Sequence, residues 1–283
     1  MTVTFQERFI GLAAARSALC VGIDPSGESL REWGMADDVA GLRAFCERMV
    51  EVSAPLVAAV KPQAAFFERH GPAGMEVLRH TVAHARSFGA LAIIDAKRGD
   101  IASTATAYGE AFLGPRSAFG GDAITVSPYL GFGSLTPIFD IARREAAGVF
   151  VVVRSSNPEG SELQRAITPD GRSVAEQMAD EIAAYNRADQ PGKLGLIGAV
   201  VGATQRGEAA RLADRLPNAL LLVPGIGAQG ATVAEVRSNF GIHYGRAIPS
   251  ISRAIARAGP GAADLRRQIE RYVAEVRSTG LPI

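Results

Sequence analysis

The stretch IIDAKRGDIASTA (93–105) sets Asp95 and Asp100 on either side of Lys97. If 91–97 forms a strand, Asp95 and Lys97 are two apart and share a face. A lone buried charge is prohibitively costly, so such groups persist in mutually compensating sets. The two carboxylates favour the ammonium form of Lys97. A structural salt bridge at a loop base is the plain alternative, but it seldom needs three charges on an otherwise apolar strand end. Lys61 closes the apolar run LVAAVK (56–61), and Asp24 closes ALCVGID (18–24). If these runs are neighbouring strands, Lys61 completes an alternating Lys–Asp–Lys–Asp array of zero formal charge. Asp24 either stands beside that array or caps a turn before Pro25. An ammonium, unlike a guanidinium, can release a proton near neutral pH when its surroundings tune it, so the array offers proton transfer from a fixed cation.

Lysine is scarce. The chain has 27 arginines and three lysines, Lys61, Lys97 and Lys193. Arginine drift in a GC-rich genome accounts for the bias and draws attention to any lysine that remains. A separate feature is VPGIGAQG (223–230), followed by Arg246 in YGRAI (244–248). Glycines let backbone N–H groups approach an anion, and an arginine grips a phosphate with two hydrogen bonds. The plain alternative is a pair of ordinary turns. His70, His80 and His84 fall on one helix-like segment with no ligand beside them and read as a solvated face. Trp33 reads as packing.

Eight short apolar runs could position these groups: 18–24, 56–61, 91–97, 122–127, 149–154, 196–202, 219–225 and 244–250. Their hydrophobicity is continuous rather than alternating, as in parallel strands covered on both faces. Helix-like segments lie between them at 69–89, 135–148 and 230–241, often closed by glycine. Eight such units predict a (β/α)₈ TIM barrel occupying 1–283 as a single domain, with a doubly wound open sheet as the alternative. The barrel is preferred because Asp24, Lys61, Asp95 with Lys97, Ser127, Ser155 with Ser156, Thr204 with Gln205, Gly225 and Arg246 all fall at or near predicted strand C-termini, which a barrel points at one mouth. The interval from 156 to 195 is long and predicts an extended loop or helix insertion.

The 283 residues carry a net charge of +1, with 47% hydrophobic and 21% charged residues. That is ordinary for a globular enzyme and argues against a broad nucleic-acid footprint. No apolar run is long enough to span a bilayer. The first twenty residues carry Glu7 and lack an uninterrupted apolar core, so they do not read as a signal peptide. Two cysteines, Cys20 and Cys46, fit a reducing, cytoplasmic location, and scattered histidines predict no metal site.

Six motifs stand in order along the chain: IDPS (23–26), KPQAAFFE (61–68), DAKRGDI (95–101), SPYLG (127–131), RSSNP (154–158) and PGIGAQG (224–230). With them the sequence resembles the orotidine 5′-monophosphate decarboxylase family, in its longer bacterial subfamily. Ser127 stands where the family pattern has asparagine. The resemblance implies a homodimeric barrel that converts orotidine 5′-monophosphate to UMP and CO₂ without metal or organic cofactor. It further implies that Lys97 donates the proton and Asp95 lies against the substrate carboxylate. Asp100 and Thr104 would reach the partner's site. Asp24 and Lys61 would bind ribose, Ser156 the pyrimidine, and Gln229 and Arg246 the phosphate. Loss of CO₂ from C6 leaves an sp² carbanion with no adjacent π system, so fixed positive charge must stabilise it. Two other readings compete. One is a Mg²⁺-dependent sugar-phosphate decarboxylase or synthase on the same barrel, and the other is a nucleotide-binding barrel without catalysis.

Overall fold

Eight parallel strands close into a barrel in sequence order. They are β1 (Cys20–Ile23), β2 (Ala59–Pro62), β3 (Leu91–Arg98), β4 (Ala123–Val126), β5 (Gly148–Arg154), β6 (Ile197–Val201), β7 (Leu221–Val223) and β8 (Ala247–Ile251). The ring closes where Cys20 of β1 pairs with Ser250 of β8. The computed structural model describes residues 3–205, 207–227 and 230–278. Strands β1, β2 and β4 are buried along their whole length, which is why their sequences run apolar without alternation. Helices follow the strands in turn: Val39–Ser53, Gly71–Ser87, Ala102–Phe112, Thr136–Arg144, Val174–Asp189, Ala209–Arg215, Val233–Phe240 and Ala262–Ser278. This is the (β/α)₈ barrel that the periodicity predicts.

Local signals explain several boundaries. The helix Gly71–Ser87 ends before Gly89, whose φ of +73° is the left-handed turn that stops a helix cheaply only at glycine. A helix the periodicity did not single out, Phe5–Ala15, precedes β1 and is held by a capping box between Thr4 and Glu7. Its Phe5 is fully buried edge-on against Phe150, with ring centroids 5.8 Å apart. A Cβ at Gly148 would lie 2.7 Å from the Phe5 ring, so the start of β5 must be glycine for this helix to seat. The 156–195 interval contains a short helix, Gly160–Gln164, a bridge between Ile167 and Ser173, and then the long helix Val174–Asp189.

Two departures from regular strand geometry matter for the site. Pairing between β3 and β4 slips between Ile94 and Arg98, and Lys97 within that slip has φ +47°. The eighth strand begins at Ala247, three residues later than the sequence pattern suggests, because Gly241–Arg246 forms a 3₁₀ turn.

Candidate active site

The C-terminal ends of the strands surround a cavity of about 500 Å³. Lys61 and Asp95 lie at its base, both buried, and Lys97 stands beside them with its side chain half exposed. Lys61 Nζ donates to Asp95 Oδ2 at 2.6 Å, and Lys97 Nζ donates to Asp95 Oδ1 at 2.6 Å. The Thr125 hydroxyl donates to Asp95 Oδ1 at 2.8 Å. The Gln63 amide, oriented with its nitrogen toward Asp95, donates to Oδ2 at 2.8 Å. Each carboxylate oxygen of Asp95 therefore accepts two hydrogen bonds.

Burial alone would raise the Asp95 pKa, but the charges of Lys61 and Lys97 and their hydrogen bonds outweigh it. The carboxyl is held well below the ordinary carboxylate range. Lys61 shows the mirror image. Burial would strip its proton, yet Asp95 and then Asp24 hold its pKa above the usual lysine value. Asp24 also lines the cavity, and its Oδ1 is buried without a protein hydrogen-bond partner. Asp24, Lys61, Asp95 and Lys97 are thus gathered at one place with no net formal charge.

Other expected residues fall elsewhere. Asp100 is half-buried in the loop after β3, where its Oδ1 accepts the Ile101 N–H at 2.8 Å. Among the described ion pairs none joins it to Lys97, so the second flanking carboxylate expected from sequence is not assembled in this chain. Thr104 is exposed on the helix Ala102–Phe112 and does not line the cavity. Ser156 lines it. Gln229 lies outside the described residues.

Arg246 is a correction. It precedes β8 and therefore sits at the opposite, N-terminal end of the barrel. Its guanidinium donates to the carbonyls of Ala213, Leu216 and Ala219, closing the end of the helix Ala209–Arg215. Burial lowers its pKa from the ordinary value. Its donors are spent on these carbonyls and on His243 Nδ1 at 3.0 Å, at the far end of the barrel from the cavity. Arg253, two residues beyond β8, is exposed and lines the cavity beside Ser252, Gly225 and Ile226. The β7 and β8 loops touch there: a Cβ at Gly227, where φ is +79°, would lie 2.6 Å from Ala254 Cβ. Ser252 Oγ is buried with no protein partner. The Gly225 backbone, Ser252 and Arg253 line this part of the cavity together, a cradle suited to a phosphate. Counting forward from the β8 residues AIPSI would have found Arg253. Gln63 and Thr125 were also missed, although each sits at a strand end facing Asp95.

The loop after β5 is braced from several sides. Arg154 is buried and donates to Glu208 Oε2 at 2.8 Å and to Gln164 Oε1 at 3.2 Å. Gln164, on the short helix in the 156–195 interval, also accepts the Ser155 N–H at 3.0 Å. From the loop after β6, Gln205 donates to Ser155 O at 2.8 Å and Thr204 to Ser156 O at 3.0 Å. Among the described residues, no group of three or more His, Cys, Asp or Glu side chains is placed to hold a metal ion.

A family model described as the orotidine 5′-phosphate decarboxylase / HUMPS family matches residues 17–268. A relative from Streptomyces coelicolor named orotidine 5′-phosphate decarboxylase is 50% identical over 263 residues, covering 93% of each chain. A Myxococcus xanthus relative of the same name is 46% identical over 274 residues, covering 97% of this chain and 95% of that one. A solved structure from Streptomyces avermitilis superposes with a TM-score of 0.92 at 47% identity, covering 98% of this chain and 96% of that one. The Leishmania donovani OMP decarboxylase structure superposes with a TM-score of 0.81 at 32% identity and 98% coverage of both.

Proposed function

This chain belongs to the orotidine 5′-phosphate decarboxylase / HUMPS family, and on that premise we propose that it converts orotidine 5′-monophosphate to UMP and CO₂, the last step of de novo UMP synthesis. The observation that carries the reading is the buried carboxylate of Asp95 gripped at 2.6 Å by Lys61 on one oxygen and Lys97 on the other.

The substrate phosphate sits between the β7 and β8 loops, held by Arg253 and glycine backbone, with Gln229 following from the family resemblance. Asp24 and Lys61 take the ribose hydroxyls, which gives Asp24 Oδ1 the donor it lacks in the protein. Ser156, on its braced loop, contacts the pyrimidine. This puts C6 beside Lys97. The C6–carboxylate bond breaks, CO₂ departs, and the electron pair stays on C6. The Lys97 ammonium stabilises that pair and then transfers a proton to C6, leaving UMP and a neutral amine that regains its proton from solvent. A charge already fixed in place needs no reorganisation as the carbanion forms, which is why preorganised electrostatics is effective. Asp95 holds the ammonium in position, and its repulsion of the substrate carboxylate is of second rank. Binding energy at the distant phosphate positions the ring.

Asp100 and Thr104 complete the site of a second subunit in a homodimer. Both lie outside their own cavity, and exposed Ile101, Tyr129 and Leu130 follow β3 and β4 on the same rim. A cytoplasmic location accords with two free buried thiols, and no described helix is long and apolar enough to cross a membrane. The test is to follow the ultraviolet absorbance of orotidine 5′-monophosphate with purified protein, with and without a chelator. Conversion to UMP unaffected by the chelator is expected. An unchanged spectrum would remove the reading, and activity abolished by the chelator would move it to the metal-dependent branch of the fold.

A further inference from the structure

Lys97 has an unusual backbone for a strand residue. Its φ of +47° lies in the left-handed region that residues with a Cβ seldom occupy, and the sequence puts no glycine there to ease it. The distortion coincides with the slip in β3–β4 pairing between Ile94 and Arg98, which removes Lys97 from the regular ladder. Its N–H donates instead to Thr125 Oγ1 at 3.0 Å. The same hydroxyl donates its proton to Asp95 Oδ1 at 2.8 Å. No ambiguity of direction exists, because an ionised carboxylate only accepts and a backbone N–H only donates. Asp95 Oδ1 is also the oxygen that Lys97 Nζ grips at 2.6 Å. A closed circuit results, running from the Lys97 N–H through the Thr125 hydroxyl and Asp95 Oδ1 back to the Lys97 ammonium.

We propose that Thr125 is a positioning residue that sets where the Lys97 ammonium stands. It acts on both ends of that lysine at once. Through the N–H it fixes the left-handed backbone from which the side chain departs, and through Oδ1 it fixes the anion to which the ammonium is tethered. Thr125 is 1% exposed, so neither bond is shared with solvent. The β-branched side chain further limits the hydroxyl to few rotamers. Valine has nearly the same shape and can make neither bond. A Thr125→Val protein keeps its packing but leaves the Lys97 N–H unpaired and Asp95 Oδ1 short of one donor.

The proposal rests on the decarboxylase reading above, and its test separates the two. Turnover of orotidine 5′-monophosphate is measured for the parent, Thr125→Val and Thr125→Ser, together with thermal melting of each. Thr125→Val is expected to lose about 10–100-fold in kcat with KM little changed, the scale of loss for a small misplacement of a reacting group. Thr125→Ser, which keeps the hydroxyl, is expected to recover most of that loss. A loss carried by KM alone, or a serine variant as slow as the valine variant, overturns the proposal. If Thr125→Val does not fold, Thr125→Ala against Thr125→Ser makes the same comparison, and equal rates overturn it. A parent protein that leaves the substrate intact overturns the decarboxylase reading and the proposal with it. An active parent matched by Thr125→Val overturns the proposal alone.

Discussion

At the Lys97 end of the cavity both carboxylate oxygens of Asp95 are engaged by groups of the same chain, whereas at the β7–β8 end Ser252 Oγ is buried without a partner and Arg253 is exposed. Asp95 is held at both oxygens by side chains of its own chain. The β7–β8 end instead turns donors toward the cavity. The contrast follows from what each must do. A cation that stabilises a carbanion is useful only if it does not have to move, so its surroundings are over-determined. A phosphate cradle has to admit and release its ligand, so its donors face the opening.

Removing the ammonium should break the Lys97 end most completely. Lys97→Ala is expected to lower kcat by at least about 10⁴-fold, since both the charge and the proton donor go. UMP affinity should change only modestly, because the cradle is intact. Turnover near that of the parent would strip Lys97 of its role. Mixing Lys97→Ala with Asp100→Ala subunits gives a sharper version. If Asp100 serves the partner's site, each mixed dimer regains one site with both residues, and activity returns. No recovery on mixing would place Asp100 outside the shared site.

Asp95→Asn probes the same region through stability. It leaves buried Lys61 with Asp24 as its remaining anion, and breaking a buried pair this way costs about 3–5 kcal/mol. The pH dependence has a definite sign. Asp95 has a lowered folded pKa, so its contribution is present above the ordinary carboxylate value and is lost as pH falls through the lowered one. Lys61 has a raised folded pKa, so its contribution is present below the ordinary lysine value and is lost only as pH rises through the raised one. Across neutral pH both are fully charged. The stability gap between parent and Asp95→Asn, read from denaturant unfolding, should be flat there and narrow below about pH 4. A gap that stays constant into acid would mean that the Asp95 charge does not carry the difference.

The cradle is tested by two arginines that the sequence made easy to confuse. Arg253→Ala is expected to raise KM for the nucleotide about 10–100-fold while leaving affinity for the nucleoside unchanged, the value of a charge-assisted bond to phosphate. Arg246→Ala should instead lower the melting temperature with little effect on KM, since its partners are carbonyls at the far end of the barrel. The reverse pattern would exchange their roles. The confusion has a physical origin. Arg246 lies near the start of the run 244–250 and one residue before β8, so at about 3.3 Å per residue the whole strand separates it from Arg253 beyond the other end. YGRAI has few apolar residues to fix its phase, and Gly241–Arg246 winds into a 3₁₀ turn. Where the apolar run is unmistakable, as in LAIIDAK, the sequence places Asp95 and Lys97 correctly on one site. It does not reveal that Lys97 leaves the ladder, because that backbone is imposed by Thr125 on the neighbouring strand. The helix Phe5–Ala15 is legible in its Thr4–Glu7 capping box yet lies outside the repeating βα pattern of the chain.

The loop after β5 lies between the two extremes: it faces the cavity like the cradle but is braced like the lysine array. Gln164 is the part of that brace contributed by the 156–195 interval, and it can be removed without touching the cavity wall. It accepts hydrogen bonds from the Ser155 N–H and from Arg154, and its amide donates to Ser155 Oγ at 2.9 Å. Gln164→Ala should loosen the Ser155–Ser156 backbone while Gln205 and Thr204 still hold its carbonyls. The expected loss in kcat/KM is therefore small, about 2–10-fold, the scale of one or two hydrogen bonds. Arg165→Ala is the control, because Arg165 is exposed and its side chain pairs with Glu208 Oε1, a contact of the kind that contributes little. If the two variants match, the interval does not steady the loop and the brace resides in Arg154, Thr204 and Gln205. If Gln164→Ala alone loses activity, the additional helix after β5 has the task of holding Ser156 where the substrate ring lies.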